Sequence, residues 1–204
     1  MKIKVCGLKY PENIEAVAEL MPDYVGFICY APSPRYATDI QAGLLDALPK
    51  TIYKTAVFVN EDEDTITKLI DHYQFNAIQL HGNESPEFCA LFKDKVTVIK
   101  AFGIDGAFNF EKLTRYDGSV DYFLFDTKTD KHGGSGQVFD WKLLDDYQLD
   151  IPFFLSGGLG LENLHEVNAI AHPQFYGVDL NSRFELEPGL KDINKLKTAF
   201  EILK

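Results

Sequence analysis

Eight times along this chain a short, nearly unbroken apolar run gives way to a stretch of mixed polarity. The runs occupy residues 3–6, 24–30, 53–60, 77–81, 96–102, 122–126, 151–156 and 175–180. Runs this short and this continuous suit parallel strands whose two faces are both covered by packed elements. Several of the segments between them, such as 12–20, 64–73, 86–92 and 192–203, read as helices. In 64–73 the apolar residues Ile66, Leu69, Ile70 and Tyr73 recur at helical spacing, leaving Asp64, Thr67 and Lys68 for solvent. Eight strand–helix units about 20–30 residues apart predict an α/β fold of the closed (β/α)8 or TIM-barrel kind. An open doubly wound sheet is the alternative. It rarely needs eight evenly spaced units, and no G-x-G-x-x-G follows the first strand. No linker-like or low-complexity stretch breaks the alternation, so residues 1–204 are expected to form a single domain.

Composition narrows the partners. With 46% hydrophobic residues the chain can build one substantial core. Its net charge of −11 repels both nucleic-acid backbone and anionic lipid, so neither nucleic acid nor membrane is an expected partner. The same field repels a small anionic substrate, which would have to be drawn in by local positive potential. The start, Met1 to Gly7, lacks the apolar core of a signal peptide. No apolar run approaches the roughly 18–20 residues that cross a bilayer, and a cytoplasmic location is the expectation. Cys6, Cys29 and Cys89 are odd in number and show no Cys-x-x-Cys spacing. That pattern predicts free thiols rather than disulfides, and no zinc or other metal site.

Barrels of this kind place their chemistry at the C-terminal ends of the strands. There the chain carries Cys6-Gly7-Leu8, Ser33-Pro34-Arg35, Gln79-Leu80-His81-Gly82, Asp126-Thr127, Ser156-Gly157-Gly158-Leu159 and Asp179-Leu180-Asn181-Ser182. Gly157 and Gly158 precede a helix expected to begin near Leu161. With Asn181 and Ser182 they fall in loops 7 and 8, the recurrent phosphate site of these barrels. A tight turn is the plainer reading of the glycine pair. Backbone dipoles in these loops would supply the positive potential that an anion needs here.

Cys6 is either a small buried hydrophobe or a reactive thiol at the mouth. Cys29 and Cys89 read as core. Asp126 closes an apolar strand end, where desolvation raises a carboxyl pKa and suits a general acid; capping the next loop is the alternative. Arg35 either grips a substrate carboxylate with two parallel hydrogen bonds or makes a surface ion pair. His81 is a possible catalytic group or a satisfied rim histidine. Residues 131–136, Lys-His-Gly-Gly-Ser-Gly, read as a water-excluding flap or an ordinary mobile loop.

Taken in order, several segments carry a resemblance. They are Lys4-Val5-Cys6-Gly7-Leu8; Gly26-Phe27 with Ser33-Pro34-Arg35; Val57-Phe58-Val59-Asn60; and Gln79-Leu80-His81-Gly82-Asn83-Glu84. They continue with Phe125-Asp126-Thr127, Gly133-Gly134-Ser135-Gly136 and Phe139-Asp140-Trp141. Ser156-Gly157-Gly158-Leu159, Gly177-Val178-Asp179, Pro188-Gly189 and Lys191-Asp192 complete the set, which spans nearly the whole chain. The ordered set resembles the phosphoribosylanthranilate isomerase family of tryptophan biosynthesis.

The resemblance implies an Amadori rearrangement by general acid–base catalysis, with Asp126 as acid and Cys6, as thiolate, as base. Arg35 would hold the anthranilate carboxylate, loops 7 and 8 the phosphate, and Asp179 would orient the sugar or the rim. No redox step occurs, so neither cofactor nor metal is implied; the partner is a small phosphorylated substrate, and the protein is a monomer or homodimer. The chain departs from the family pattern at Lys9, where Thr is usual, at Ser135, and at Asn181-Ser182, where a Ser pair is common. Asn keeps a side-chain donor and tolerates left-handed backbone.

Two other readings fit less well. The sugar-phosphate isomerase of histidine biosynthesis shares barrel and chemistry but has Asp at the strand-1 position. It also has a second glycine-rich phosphate loop, where this chain has Asn60-Glu61-Asp62. A non-catalytic barrel that senses a phosphorylated metabolite would need neither Cys6 nor Asp126.

Overall fold

The computed structural model describes residues 1–37, 40–128 and 138–204, so the glycine-rich stretch 131–136 lies outside the described residues. Eight parallel strands run in chain order around a closed barrel: β1 (Lys2–Cys6), β2 (Tyr24–Ile28), β3 (Tyr53–Phe58), β4 (Ala77–Leu80), β5 (Thr97–Ile104), β6 (Tyr122–Thr127), β7 (Phe153–Leu155) and β8 (Phe175–Leu180). Closure is made by β1 and β8, which pair Ile3 with Val178 and Lys4 with Asp179. All eight apolar runs are strands. Several are shorter than the runs themselves, because the last residues of 24–30, 53–60 and 151–156 leave the ladder to build the mouth.

The α-helices are α1 (Pro11–Ala18), α2 (Ala42–Ala47), α3 (Glu63–Tyr73), α4 (Pro86–Ala90), α5 (Leu164–Val167) and α6 (Ile193–Leu203). Their ends follow local chemistry. Asp62 accepts the Thr65 N–H at the start of α3, and Asp192 accepts those of Asn194 and Lys195 at the start of α6. Pro11 occupies the first turn of α1, where its missing N–H costs nothing.

The crossovers after β5 and β6 are instead 3-10 helices, Phe110–Tyr116 and Trp141–Asp146. Sequence spacing accounts for this. Phe110, Leu113 and Tyr116 recur at every third residue, as do Trp141, Leu144 and Tyr147, and a three-residue turn stacks them on one face. All but the half-buried Trp141 are buried.

Alternation along the strands sorts the core into two parts. Ile3, Val5, Val25, Phe27, Phe123, Phe125, Phe153 and Leu155 belong to the large outer cluster beneath the helices. Tyr24, Ile99, Ala101, Leu124 and Phe154 form a separate cluster inside the barrel, sealed by Tyr122 and Tyr176. Each aromatic ring so buried contributes roughly 1.5–3 kcal/mol over leaving it in water. The floor of the barrel is thus apolar. Above it the inward positions turn polar: Lys4, Thr55, Gln79, Ser156 and Asp179 are all buried.

Candidate active site

Cys6 lies two residues beyond Lys4 on the inward face of β1 and is 3% exposed. Lys4 donates to Asp179 Oδ1 at 2.9 Å, both groups buried, so each charge offsets the other's desolvation. Burial pushes the Cys6 thiol above its ordinary range, and Asp179 adds to this, while the Lys4 and Lys191 ammonium groups pull it back. Immediately after Cys6 the backbone turns through Gly7 at φ +81. A side chain there would also strike its neighbours, since a Cβ on Gly7 would lie 2.8 Å from Asn181 Oδ1 and 2.9 Å from Arg35 Cδ.

Across the mouth Asp126 sits near the end of β6, its side chain 27% exposed. Burial raises its carboxyl to about 7; Asp179 pushes the same way, against the Thr127 N–H and Lys4. His81 Nε2 lies 3.7 Å from Asp126 Oδ2, and its Nδ1 lies 2.9 Å from Gln79 Nε2. A cavity of about 380 Å³ opens beside this pair, lined by His81, Lys100, Phe102, Arg115, Asp126 and Thr127. A larger depression of about 960 Å³, lined in part by Trp141, Tyr147 and His172, lies on the outer side of the barrel, away from Cys6 and Asp126.

Gly157 and Gly158 follow β7 with φ +86 and +67, conformations that favour glycine. At Gly157 a Cβ would collide with Thr127 and lie 2.6 Å from Asp126 Oδ1, so the loop after β7 packs directly on the acid. Asn163 ties the turn, accepting the Gly160 N–H at 2.9 Å and donating to Gly158 O at 3.1 Å. The helix expected to begin near Leu161 starts at Leu164 and has only four residues. The turn made by Asn163 occupies the intervening positions, and so short a helix carries little dipole. Asn181 and Ser182 follow β8, and Ser182 opens the 3-10 turn Ser182–Phe184.

The residues named from sequence therefore gather at one end of the barrel, with one qualification. Arg35 makes an ion pair, but not a surface one. Its guanidinium meets Glu185 at 2.7–3.0 Å, with side-chain exposures of 13% and 5%. Cys29 is half-buried and Cys89 buried among core residues, as expected.

Three charged residues given no role by sequence reasoning also stand here: Lys4, Glu185 and Lys191. Lys4 carried a signal, as a cation in the middle of an otherwise apolar strand. Lys191 stood in the Lys191-Asp192 segment of the resemblance but with no role attached, and Glu185 carried no signal; both belong to a short antiparallel excursion, β9 (Glu185–Glu187) and β10 (Leu190–Lys191), that follows the barrel proper.

A closed parallel barrel with Cys6 and Asp126 near the C-terminal ends of β1 and β6 places the chain in the class of (β/α)8 barrels whose polar site lies at that end. Comparison with known proteins makes this specific. The sequence pattern of the N-(5'-phosphoribosyl)anthranilate (PRA) isomerase family matches residues 3–202. The N-(5'-phosphoribosyl)anthranilate isomerase of Parabacteroides distasonis is 48% identical over 98% of this chain and 92% of its own. That of Phocaeicola vulgatus is 40% identical over 100% and 98%. Among solved structures, the phosphoribosyl anthranilate isomerase of Thermotoga maritima superposes with a TM-score of 0.87 at 34% identity, covering 99% of this chain and 98% of that one. A phosphoribosyl anthranilate isomerase in complex with reduced 1-(o-carboxyphenylamino)-1-deoxyribulose 5-phosphate gives 0.81 at 31%, covering 98% and 97%. The chain belongs to the N-(5'-phosphoribosyl)anthranilate isomerase family, and it is an isomerase of tryptophan biosynthesis.

Proposed function

We propose that Asp126 and Cys6 carry the proton transfers of this isomerisation, within one domain spanning residues 1–204. The reaction converts N-(5-phosphoribosyl)anthranilate to 1-(2-carboxyphenylamino)-1-deoxyribulose 5-phosphate. Asp126, protonated, gives its proton to the furanose ring oxygen as the nitrogen lone pair opens the C1–O bond, leaving an iminium ion. The Cys6 thiolate then removes the C2 proton. The C–H electron pair forms the C1–C2 double bond and neutralises nitrogen. The resulting enolamine tautomerises to the ketone, and a proton passing from thiol to carboxylate through solvent resets the pair. Every atom of the substrate is retained.

The observation that carries this reading is the placement of Cys6 and Asp126 on the inward faces of β1 and β6, toward the same end of the closed barrel, where burial pushes the Asp126 carboxyl up to about 7. An acid with a pKa near working pH both carries its proton and releases it readily. His81 stands beside that carboxyl, Arg35 takes the anthranilate carboxylate, and the N–H groups of Gly157 and Gly158 with Asn181 and Ser182 take the phosphate. Asp179, paired with Lys4 through Oδ1, orients the ammonium beside the thiol and, with it, the sugar or the rim.

No helix among the described residues is long and apolar enough to cross a membrane, and a cytoplasmic monomer or homodimer acting on this small molecule, without nucleic acid or membrane, is the setting proposed. Freshly prepared phosphoribosylanthranilate tests the reading. The purified protein should discharge its fluorescence catalytically, whereas a binding barrel would change it only in proportion to protein added.

A further inference from the structure

Arg35 is gripped side-on. Its Nε donates to both Glu185 oxygens, at 2.9 and 3.0 Å, and its Nη2 to Oε2 at 2.7 Å. An arginine so paired is well oriented, since the grip uses Nε–H and one Nη2–H and leaves the end-on edge for another carboxylate. It is also electrically neutralised. A buried Arg–Glu pair presents a dipole to an incoming anion rather than a charge, in a protein whose net charge is already −11.

A third charge changes that balance. Lys191 Nζ donates to the same Glu185 Oε1 at 2.8 Å and to Asn181 Oδ1 at 2.8 Å, with its side chain wholly buried. Its backbone is fixed from the other side by Asn13, which accepts the Lys191 N–H at 2.7 Å and donates to its carbonyl at 2.9 Å. The bare Cα of Gly7 lets Asn181 and Arg35 close in over the turn after Cys6.

We infer that Lys191 is a positioning residue for substrate binding: by neutralising Glu185 it lets Glu185 orient Arg35 while Arg35 keeps its positive charge toward the barrel mouth. The inference rests on the role proposed for Arg35. With Lys191 protonated, the triad of Arg35, Glu185 and Lys191 carries one net positive charge; burial pulls the Lys191 ammonium toward losing its proton, and Glu185 holds it on. The triad supplies the local potential that the acidic surface denies. Asn181, held by the same ammonium, couples this triad to the loop proposed for phosphate. The short excursion β9–β10 thereby acquires a function, since it delivers both Glu185 and Lys191 to the rim.

Three variants separate charge from packing. Lys191→Arg keeps the cation, Lys191→Gln keeps a hydrogen-bond donor without charge, and Glu185→Gln/Lys191→Gln removes both charges together. With phosphoribosylanthranilate as substrate, Lys191→Gln should raise KM about tenfold or more while kcat stays within about threefold, the signature of lost binding carried through to the transition state. Lys191→Arg should hold KM within about threefold of wild type, and the double variant within about fivefold, since Arg35 keeps its charge there but loses the carboxylate that orients it.

A merely structural lysine predicts the opposite order, with the double variant at least as damaged as Lys191→Gln; that result, or an unchanged KM in Lys191→Gln, overturns the inference. Should Lys191→Gln fail to fold, the other two decide, and a tenfold rise in KM in either one overturns it. Absent turnover by the wild-type protein would bring down the isomerase reading as well. Wild-type turnover with indifferent Lys191 variants would remove this inference alone.

Discussion

Gly26 presses its bare Cα against Cys6. The two are register partners on β2 and β1, and a methyl group on Gly26 would lie 2.6 Å from the Cys6 Sγ. Gly26→Ala therefore has to move the thiol. Since a shift of about 1 Å at a reacting group costs up to roughly 100-fold, kcat is expected to fall by about 10- to 100-fold. Steady-state assays of the folded variant check this, and an unchanged kcat would mean that the thiol position is immaterial.

Asp126 should be a stability liability. A carboxyl at about 7 in the folded protein, against about 3.9 when unfolded, binds more protons folded than unfolded between those values. This group therefore lowers stability progressively as pH rises from about 4 to 7, and the full penalty stands above 7. Asp126→Asn removes the ionisation. Discounted for the partial exposure of the side chain, the gain at pH 8 should be about 2 kcal/mol, a rise in Tm of about 4–8 °C. At pH 4 the gain should vanish. Thermal melts at the two pH values check it, and a variant less stable than wild type at pH 8 would contradict the buried acid.

The pH dependence of kcat/KM follows from two shifts. Asp126 titrates near 7 and Cys6 above its ordinary range, so the productive pair, thiolate with carboxylic acid, is a minor form of the singly protonated state. That state replaces the doubly protonated one as pH rises through 7. Hence kcat/KM should climb about tenfold per unit below pH 7 and level off above it. A profile that instead falls through 7 would place the thiol below the carboxyl.

Lys4→Met leaves Asp179 charged and alone inside the barrel. Breaking such a buried pair typically costs about 3–5 kcal/mol. Lys4→Met/Asp179→Asn should recover much of that loss in denaturant titrations. Equal instability of single and double variants would show that packing of the lysine stem, rather than charge pairing, is what matters there.

The strands were legible because each is buried on both faces and reads as an apolar run; the ends were less so, because a mouth residue such as Ser156 looks like the end of its strand. The crossovers after β5 and β6 carried a three-residue apolar spacing that a search for helical periodicity passes over. At the site, Cys6, Asp126 and the Gly157-Gly158 turn were visible as polar or glycine residues at strand ends. Arg35 was visible too, but its partner was not. Glu185 lies 150 residues away, and nothing local distinguishes it from the neighbouring Glu187, which is exposed. The helix expected near Leu161 failed because Asn163 spends its side chain on the turn instead.

The division of labour between thiol and carboxyl is tested most directly by single-turnover and steady-state rates of Cys6→Ser and Asp126→Asn on phosphoribosylanthranilate. Each variant should lose at least about two orders of magnitude in kcat, the scale of a general acid or base. Wild-type kcat in either one would take that residue out of the mechanism.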